Sequence, residues 1–314
     1  MSKIDERIEE LLNRLDAAES DDEILALGRA LLASDPKSPY GKLAVWESLG
    51  YEESISSLDM LKEALDEIRA VVESREAPAF IEDDRDSQTY CSILMNLGYS
   101  LLTAGETEEA LDAAKELANF DDEGCYPSRE LLYRCLLDLD MYDEILETLE
   151  TDPVESVVGE HARAIALIET GAGREEISGA INYAVSLSPD VPFLVLGIWE
   201  FPEEEDDDLG EYEETVLDAT YLCEPWSRSD RRLSLLSIPV FLLGYLTERI
   251  DDRKEIEALR QTYEAAGILK DVEESRTKIA KMINRNEDPE EVDACAMGEL
   301  ENLLEKMFDG VQEL

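Results

Sequence analysis

Apolar residues recur at helical spacing along almost the whole chain, and this periodicity restricts the possible folds more than any motif does. Ile4, Ile8, Leu11, Leu12 and Leu15 form one stripe, and Leu58, Leu61, Leu65, Ile68, Val71 and Val72 form another. Residues at i, i+3, i+4 and i+7 share one face of a helix, so each stripe predicts an amphipathic helix. The alternation of apolar and polar side chains that marks a half-buried strand is not sustained. Turn residues punctuate the stripes at Ser34-Asp35-Pro36, Thr103-Ala104-Gly105, 124–127, Thr151-Asp152-Pro153, 171–173 and 188–192. Short connections make successive helices antiparallel neighbours. The expected fold is all-α.

A repeat of about 34 residues is visible inside that rhythm. Its clearest copy runs Leu94-Met95-Asn96-Leu97-Gly98-Tyr99, turns at Gly105, and continues through Ala110, Ala114 and Leu117. Gly98 and Ala110 are small where two helices of a repeat would cross, and Gly105 suits a tight turn that needs positive φ. This segment resembles a tetratricopeptide repeat. With Ala110 as marker, a second copy has Tyr133, Leu136 and Ile145, 35 residues on. A third runs through 162–168, Gly171, Ile177, Ile181 and Ala184, with Ile177 a further 32 residues on. The resemblance implies a superhelix, or α-solenoid, of antiparallel helix pairs.

The flanks are less regular. Ile24, Leu27, Leu31, Leu32 and Pro36 read as the second helix of a repeat, and Trp46-Glu47-Ser48-Leu49-Gly50 as the opening of another with a lengthened turn at 51–57. Residues 188–226, from Ser188-Pro189-Asp190 to Trp226, are similar to a stretch of repeat proteins related to the suppressor of tumorigenicity 7 family. The expected organisation is irregular helical repeats over 1–75, a polar link over 76–87, tetratricopeptide-like repeats over 88–190 and a helical C-terminal region over 191–314. That last region carries an acidic loop at 200–214, an apolar helix at 231–249, and closing helices at 256–266 and 293–308. Terminal helices of this kind cap a solenoid by shielding its last apolar edge.

Charge narrows the function. The chain has 314 residues with 28 Lys+Arg against 77 Asp+Glu, a net charge of −49. Direct nucleic-acid or anionic-membrane binding needs clustered cations, which this balance opposes. Disorder is opposed in turn by a hydrophobic content of 44%. Scarce lysine fits adaptation to high salt, whereas the excess of Glu over Asp and the presence of cysteines do not. The N-terminus has no apolar signal-peptide core, and the apolar run 233–246 is broken by Ser234, Ser237 and Pro239. The expectation is a soluble, cytoplasmic protein. Its five cysteines (Cys91, Cys125, Cys135, Cys223, Cys295) have no Cys-x-x-Cys pair and read as free thiols.

Catalytic signals are sparse. His161 is the only histidine, so a two-histidine zinc site is ruled out, and no phosphate-binding, dinucleotide or nucleophile-elbow glycine motif occurs. The acidic runs at 83–86 and 206–208 lack the spacing of a calcium loop. No catalytic residue, metal ligand or cofactor is predicted. Arg228, Arg231 and Arg232 are a basic exception, read as ion pairs or as a docking point for an acidic partner or a second copy of the chain.

These readings favour a non-enzymatic scaffold, adaptor or chaperone-like protein. The first helix of each repeat would line a concave groove, with candidates Met95, Tyr99 and Leu102, then Glu130, Arg134, Leu137 and Asp138, then Ala162, Ala166 and Glu169. A mixed apolar and acidic surface calls for a protein or peptide partner with a basic, amphipathic segment. Two alternatives remain: an acidic nucleic-acid mimic that binds a DNA-binding protein, and an unrecognised enzyme domain in 190–314.

Overall fold

The computed structural model describes residues 3–18, 20–75, 80–82, 84–152, 154–202, 210 and 212–312. Among them every regular element longer than a turn is a helix and no strand is present. None of these helices is long and apolar enough to cross a membrane. The chain divides into two compact units, Met1–Asp140 and Met141–Leu314. The division falls inside the stretch that reads as one block of repeats.

The first unit holds α1 (Lys3–Leu15), α2 (Asp21–Ser34), α3 (Pro39–Glu47), α4 (Tyr51–Ser56) and α5 (Leu58–Glu73), followed by α6 (Arg85–Thr103), α7 (Thr107–Phe120) and α8 (Ser128–Asp138). Local chemistry sets several ends. Ser38 Oγ accepts from the Gly41 amide, with Pro39 at the first position of α3. The Asp84 carboxylate caps α6 by accepting from the Ser87 amide at 2.8 Å. Gly105, at φ 79°, makes the turn between α6 and α7. A Cβ on Gly98 would stand 2.6 Å from a Leu131 methyl of α8. Its 3.7 Å distances to the Ala110 carbonyl and the Ala113 Cβ of α7 are ordinary contact, so this glycine makes room for α8 rather than for the expected crossing with α7. Leu61, Ile68, Leu94, Leu117 and Leu131 are fully buried. Each such side chain contributes about 1.5–3 kcal/mol through its removal from water.

Some expectations shift in this unit. The stripe on α5 buries Leu61, Leu65, Ile68 and Val72, but Val71 is exposed. One residue step turns the helix about 100°, which carries Val71 off the buried face. Trp46 closes α3 rather than opening a helix, and the lengthened turn that follows contains α4. The Trp46 indole donates to the Ser54 carbonyl at 3.0 Å and holds that short helix against the end of α3. Of the expected polar link, 85–87 already belong to α6, while 76–79 and 83 lie outside the described residues.

The second unit holds α9 (Tyr142–Thr151), α10 (Val157–Thr170), α11 (Arg174–Leu187), α12 (Val191–Val195), α13 (Tyr212–Ser227) and α14 (Asp230–Thr247), then α15 (Arg253–Ala265), α16 (Leu269–Ile283) and α17 (Pro289–Gln312). Gly171 ends α10 in the left-handed conformation, at φ 76°. Ten of the 14 residues of α10 are buried, so it is a central helix packed on several sides, with α9, α11 and α13 against it. The expected acidic loop ends by Tyr212, where α13 begins; residues 203–209 and 211 lie outside the described residues.

The repeat markers keep their register. Ala110, Ile145 and Ile177 are each the fourth residue of their helix, in α7, α9 and α11. Each amide donates to the carbonyl of the residue just before the helix, Glu106, Met141 or Gly173. All three side chains are buried.

Few cations serve a strongly acidic chain, and several arginines join separate helices. Arg69 on α5 donates to both carboxylate oxygens of Glu116 on α7, at 2.7 and 2.9 Å. Burial works against ionisation of Glu116, but its bonds with Arg69 and Tyr90 outweigh that and hold the carboxyl below its ordinary range. Arg75, at the end of α5, reaches Asp84 and Asp86 at the start of α6, at 2.6 and 2.9 Å.

Candidate functional site

The ten residues expected to line a groove are divided between the two units, seven on α6 and α8 and three on α10. On α6, Tyr99 is exposed while Met95 and Leu102 are half-buried. On α8, the Arg134 Nε donates to both oxygens of Asp138 at 3.0 Å, Glu130 is half-buried, and Leu137 is fully buried. In the second unit Ala162 and Ala166 have no exposed surface. Leu137, Ala162 and Ala166 are therefore core residues, because α8 and α10 are covered on the faces that were expected to stay open. Glu169 accepts from Arg232 Nε at 2.7 Å, and its carboxylate is committed to that pair.

Arg232 is itself 4% exposed and also donates to the Pro225 carbonyl and the Tyr142 hydroxyl, both at 2.7 Å. It thus ties α9, α10, α13 and α14. Arg228, just past the end of α13, pairs at 3.0 Å with Glu224, four residues earlier on that helix. Two of the three clustered arginines are therefore ion-paired, and among the described residues Arg231 has no ion pair.

A different site emerges in the second unit, where α9, α10 and α11 enclose a cleft of about 760 Å³. Its apolar floor includes Leu146 and Leu149 of α9, Leu167 of α10 and Ala180 of α11. Its rim carries Glu150, Asp152, Glu155, Glu160, Glu175 and Glu176, six carboxylates, against one guanidinium, Arg163. Each helix supplies one face: Leu146, Leu149 and Glu150 are spaced i, i+3, i+4, and Glu160, Arg163 and Leu167 are spaced i, i+3, i+7.

Local bonds shape the rim. Arg163 donates to both oxygens of Glu160, at 2.8 and 3.2 Å, which neutralises the carboxylate nearest the floor. Asp152 Oδ1 accepts from the Val154 amide at 3.0 Å, and Ser156 Oγ accepts from the Gly159 amide at 2.9 Å to start α10. The Tyr183 hydroxyl donates to Glu155, so a half-exposed ring closes one side. That bond, then burial and the Glu155 charge, raises the Tyr183 pKa and keeps the phenol neutral. Gly179 leaves open space where a side chain would project.

None of the ten expected residues lines this cleft. Its acids come mainly from the C-terminal end of α9 and the first turn of α11, both second helices of their pairs. No sequence signal singles it out, since Glu108-Glu109 take the same place in α7 after the Gly105 turn as Glu175-Glu176 do in α11.

His161 cannot meet a substrate here. Its ring is fully buried, with no hydrogen bond at either nitrogen, edge-on to Trp226 at 5.8 Å. Among the described residues no group of three or more His, Cys, Asp or Glu is arranged to hold a metal.

No family model, no curated protein and no solved structure matches this chain. The resemblance to tetratricopeptide repeats accordingly rests on its own residues.

Proposed function

We propose that the protein is a non-enzymatic scaffold of tetratricopeptide-like helix pairs. On this reading it holds a basic, amphipathic segment of a partner protein in the acidic cleft of its second unit. The observation that carries it is the cleft's composition: an apolar floor under a rim with six carboxylates and one arginine. A segment with apolar side chains on one face and Lys or Arg on its flanks matches both parts, burying the first and pairing the second. The conserved position of Ala110, Ile145 and Ile177 within their helices supports the repeat reading. The net charge of −49 would steer such a partner at low salt.

The test is fluorescence anisotropy with a labelled helical peptide bearing Leu at i, i+3, i+4 and i+7 and Lys elsewhere. Its control is the same peptide with Glu for Lys. Binding of the basic peptide should weaken as salt rises. The double variant Glu150→Lys with Glu175→Lys should weaken it about ten-fold, since two exposed pairs become repulsive. Equal binding of the acidic control, or no change in the double variant, would refute this assignment.

A further inference from the structure

A second cleft in the same unit has the opposite character. It lies among α11, α14 and α17, with a volume of about 340 Å³, near the lower end for small-molecule sites of about 300–1,000 Å³. Ile177 and Ile181 of α11, Leu235, Ile238 and Pro239 of α14, and Leu304 of α17 make it apolar. Ile238 is also among the few large apolar side chains that remain exposed.

The charged groups at its edge are both cationic, Arg174 and Arg231. In a chain with 77 acids and 28 bases, two arginines on one small apolar cleft with no carboxylate in the lining is a local reversal of sign. Arg231 is exposed and, among the described residues, balanced by no ion pair. Arg174 opens α11, whose N-cap residue, Gly173, offers no side-chain acceptor to the first-turn amides. Glu175 and Glu176 in that first turn already answer the positive pole of the helix dipole, so the cationic character of this edge comes from the arginine side chains.

Asn182 also lines the cleft, at 8% exposure, but its Oδ1 is an acceptor and offers an anion no hydrogen bond. The apolar cleft thus borders one guanidinium, that of Arg231, with no ion pair among the described residues.

We infer that this cleft binds a single-chain aliphatic carboxylate, its hydrocarbon tail against Ile181, Leu235 and Ile238 and its carboxylate at Arg231 with Arg174. One unbalanced guanidinium matches a monoanion. The site is separate from the acidic cleft and selects the opposite charge, so either assignment can fail without the other.

Isothermal titration of the full chain with decanoate tests it, with decanol and decyltrimethylammonium as probes of the same tail. Decanoate should bind saturably, one per chain, and about ten-fold more tightly than decanol, while the ammonium compound should not bind. Arg231→Gln removes an exposed side chain, so the fold should survive, and should bring decanoate down to the affinity of decanol. Ile238→Glu, also at an exposed position, should abolish binding of decanoate. Equal binding of decanoate and decanol to the unaltered chain would overturn the assignment, as would binding of the cation. Absence of saturable decanoate binding, or an unchanged affinity in Arg231→Gln, would overturn it as well.

Discussion

Acid should destabilise the second unit through His161. The ring has no exposed surface and neither nitrogen has a partner, so a charged imidazolium would be stranded in apolar surroundings. Burial alone pushes its pKa down to about 3. In the unfolded chain the same group titrates near its ordinary value of about 6.5. Between those values the unfolded state holds one more proton than the folded state, so stability falls as pH drops through this window. The loss works out at about 2 kcal/mol by pH 5, against under about 0.2 kcal/mol at pH 7. Protonation of carboxylates relieves repulsion in a chain of net charge −49, which has the opposite sign.

Urea unfolding followed by tryptophan fluorescence at about pH 7.5 and about pH 5 measures the total, and His161→Leu isolates the histidine. The variant should be as stable as the wild type or more so at neutral pH, because it removes two unsatisfied buried nitrogens. It should lack the acid-dependent loss of about 2 kcal/mol. Because the chain has one histidine, its imidazole proton signals can be followed without assignment. A midpoint near 6.5 in the folded protein, or the same acid loss in His161→Leu, would refute the argument.

Other outcomes follow from side chains already placed. Arg249 joins Asp190 at 2.8 Å and both oxygens of Asp293 at 2.7 and 2.8 Å, linking the start of α12, the end of α14 and α17; Arg249→Met should cost about 3 kcal/mol in urea unfolding, and a loss below about 1 kcal/mol would show the cluster to be dispensable. A Cβ on Gly244 would stand 2.7 and 2.8 Å from two carbons of Ile250 and 2.8 Å from the Phe193 ring, so Gly244→Ala should destabilise by about 1–3 kcal/mol. Gly298→Ala on α17 meets nothing within 4 Å and should instead stabilise by about 0.5–1 kcal/mol; thermal melts that rank the two the other way contradict the packing. Among the cysteines, Cys125 is exposed, whereas burial pushes the Cys91 and Cys135 thiols up to about 12. A maleimide should label Cys125 before either, and Cys91 and Cys135 only as the protein unfolds.

The all-helical fold was legible in the sequence because its signals are local. Stripes, caps and turn glycines act within a few residues, so Gly105 and Gly171 mark turns where the structure has them, and Ala110, Ile145 and Ile177 hold one register. The groove was not legible, because a repeat motif says which residues are small or apolar and not how many neighbours a helix acquires. Ala162 and Ala166 sit on α10, which packs against α9, α11 and α13, and both are fully buried there. Acidic residues gave no guidance either: 77 of them are spread over the chain, so a carboxylate carries little positional information. Cations invert that logic. With 28 in the chain, a long side chain that must satisfy its charge is drawn to seams where two acidic helices would otherwise repel, as Arg69, Arg75, Arg232 and Arg249 are. Isolated arginines in apolar or mixed segments are thus the sequence signal for helix packing in so acidic a chain. An arginine such as Arg231, which meets no acid among the described residues, marks a place where an anion from outside would complete the structure.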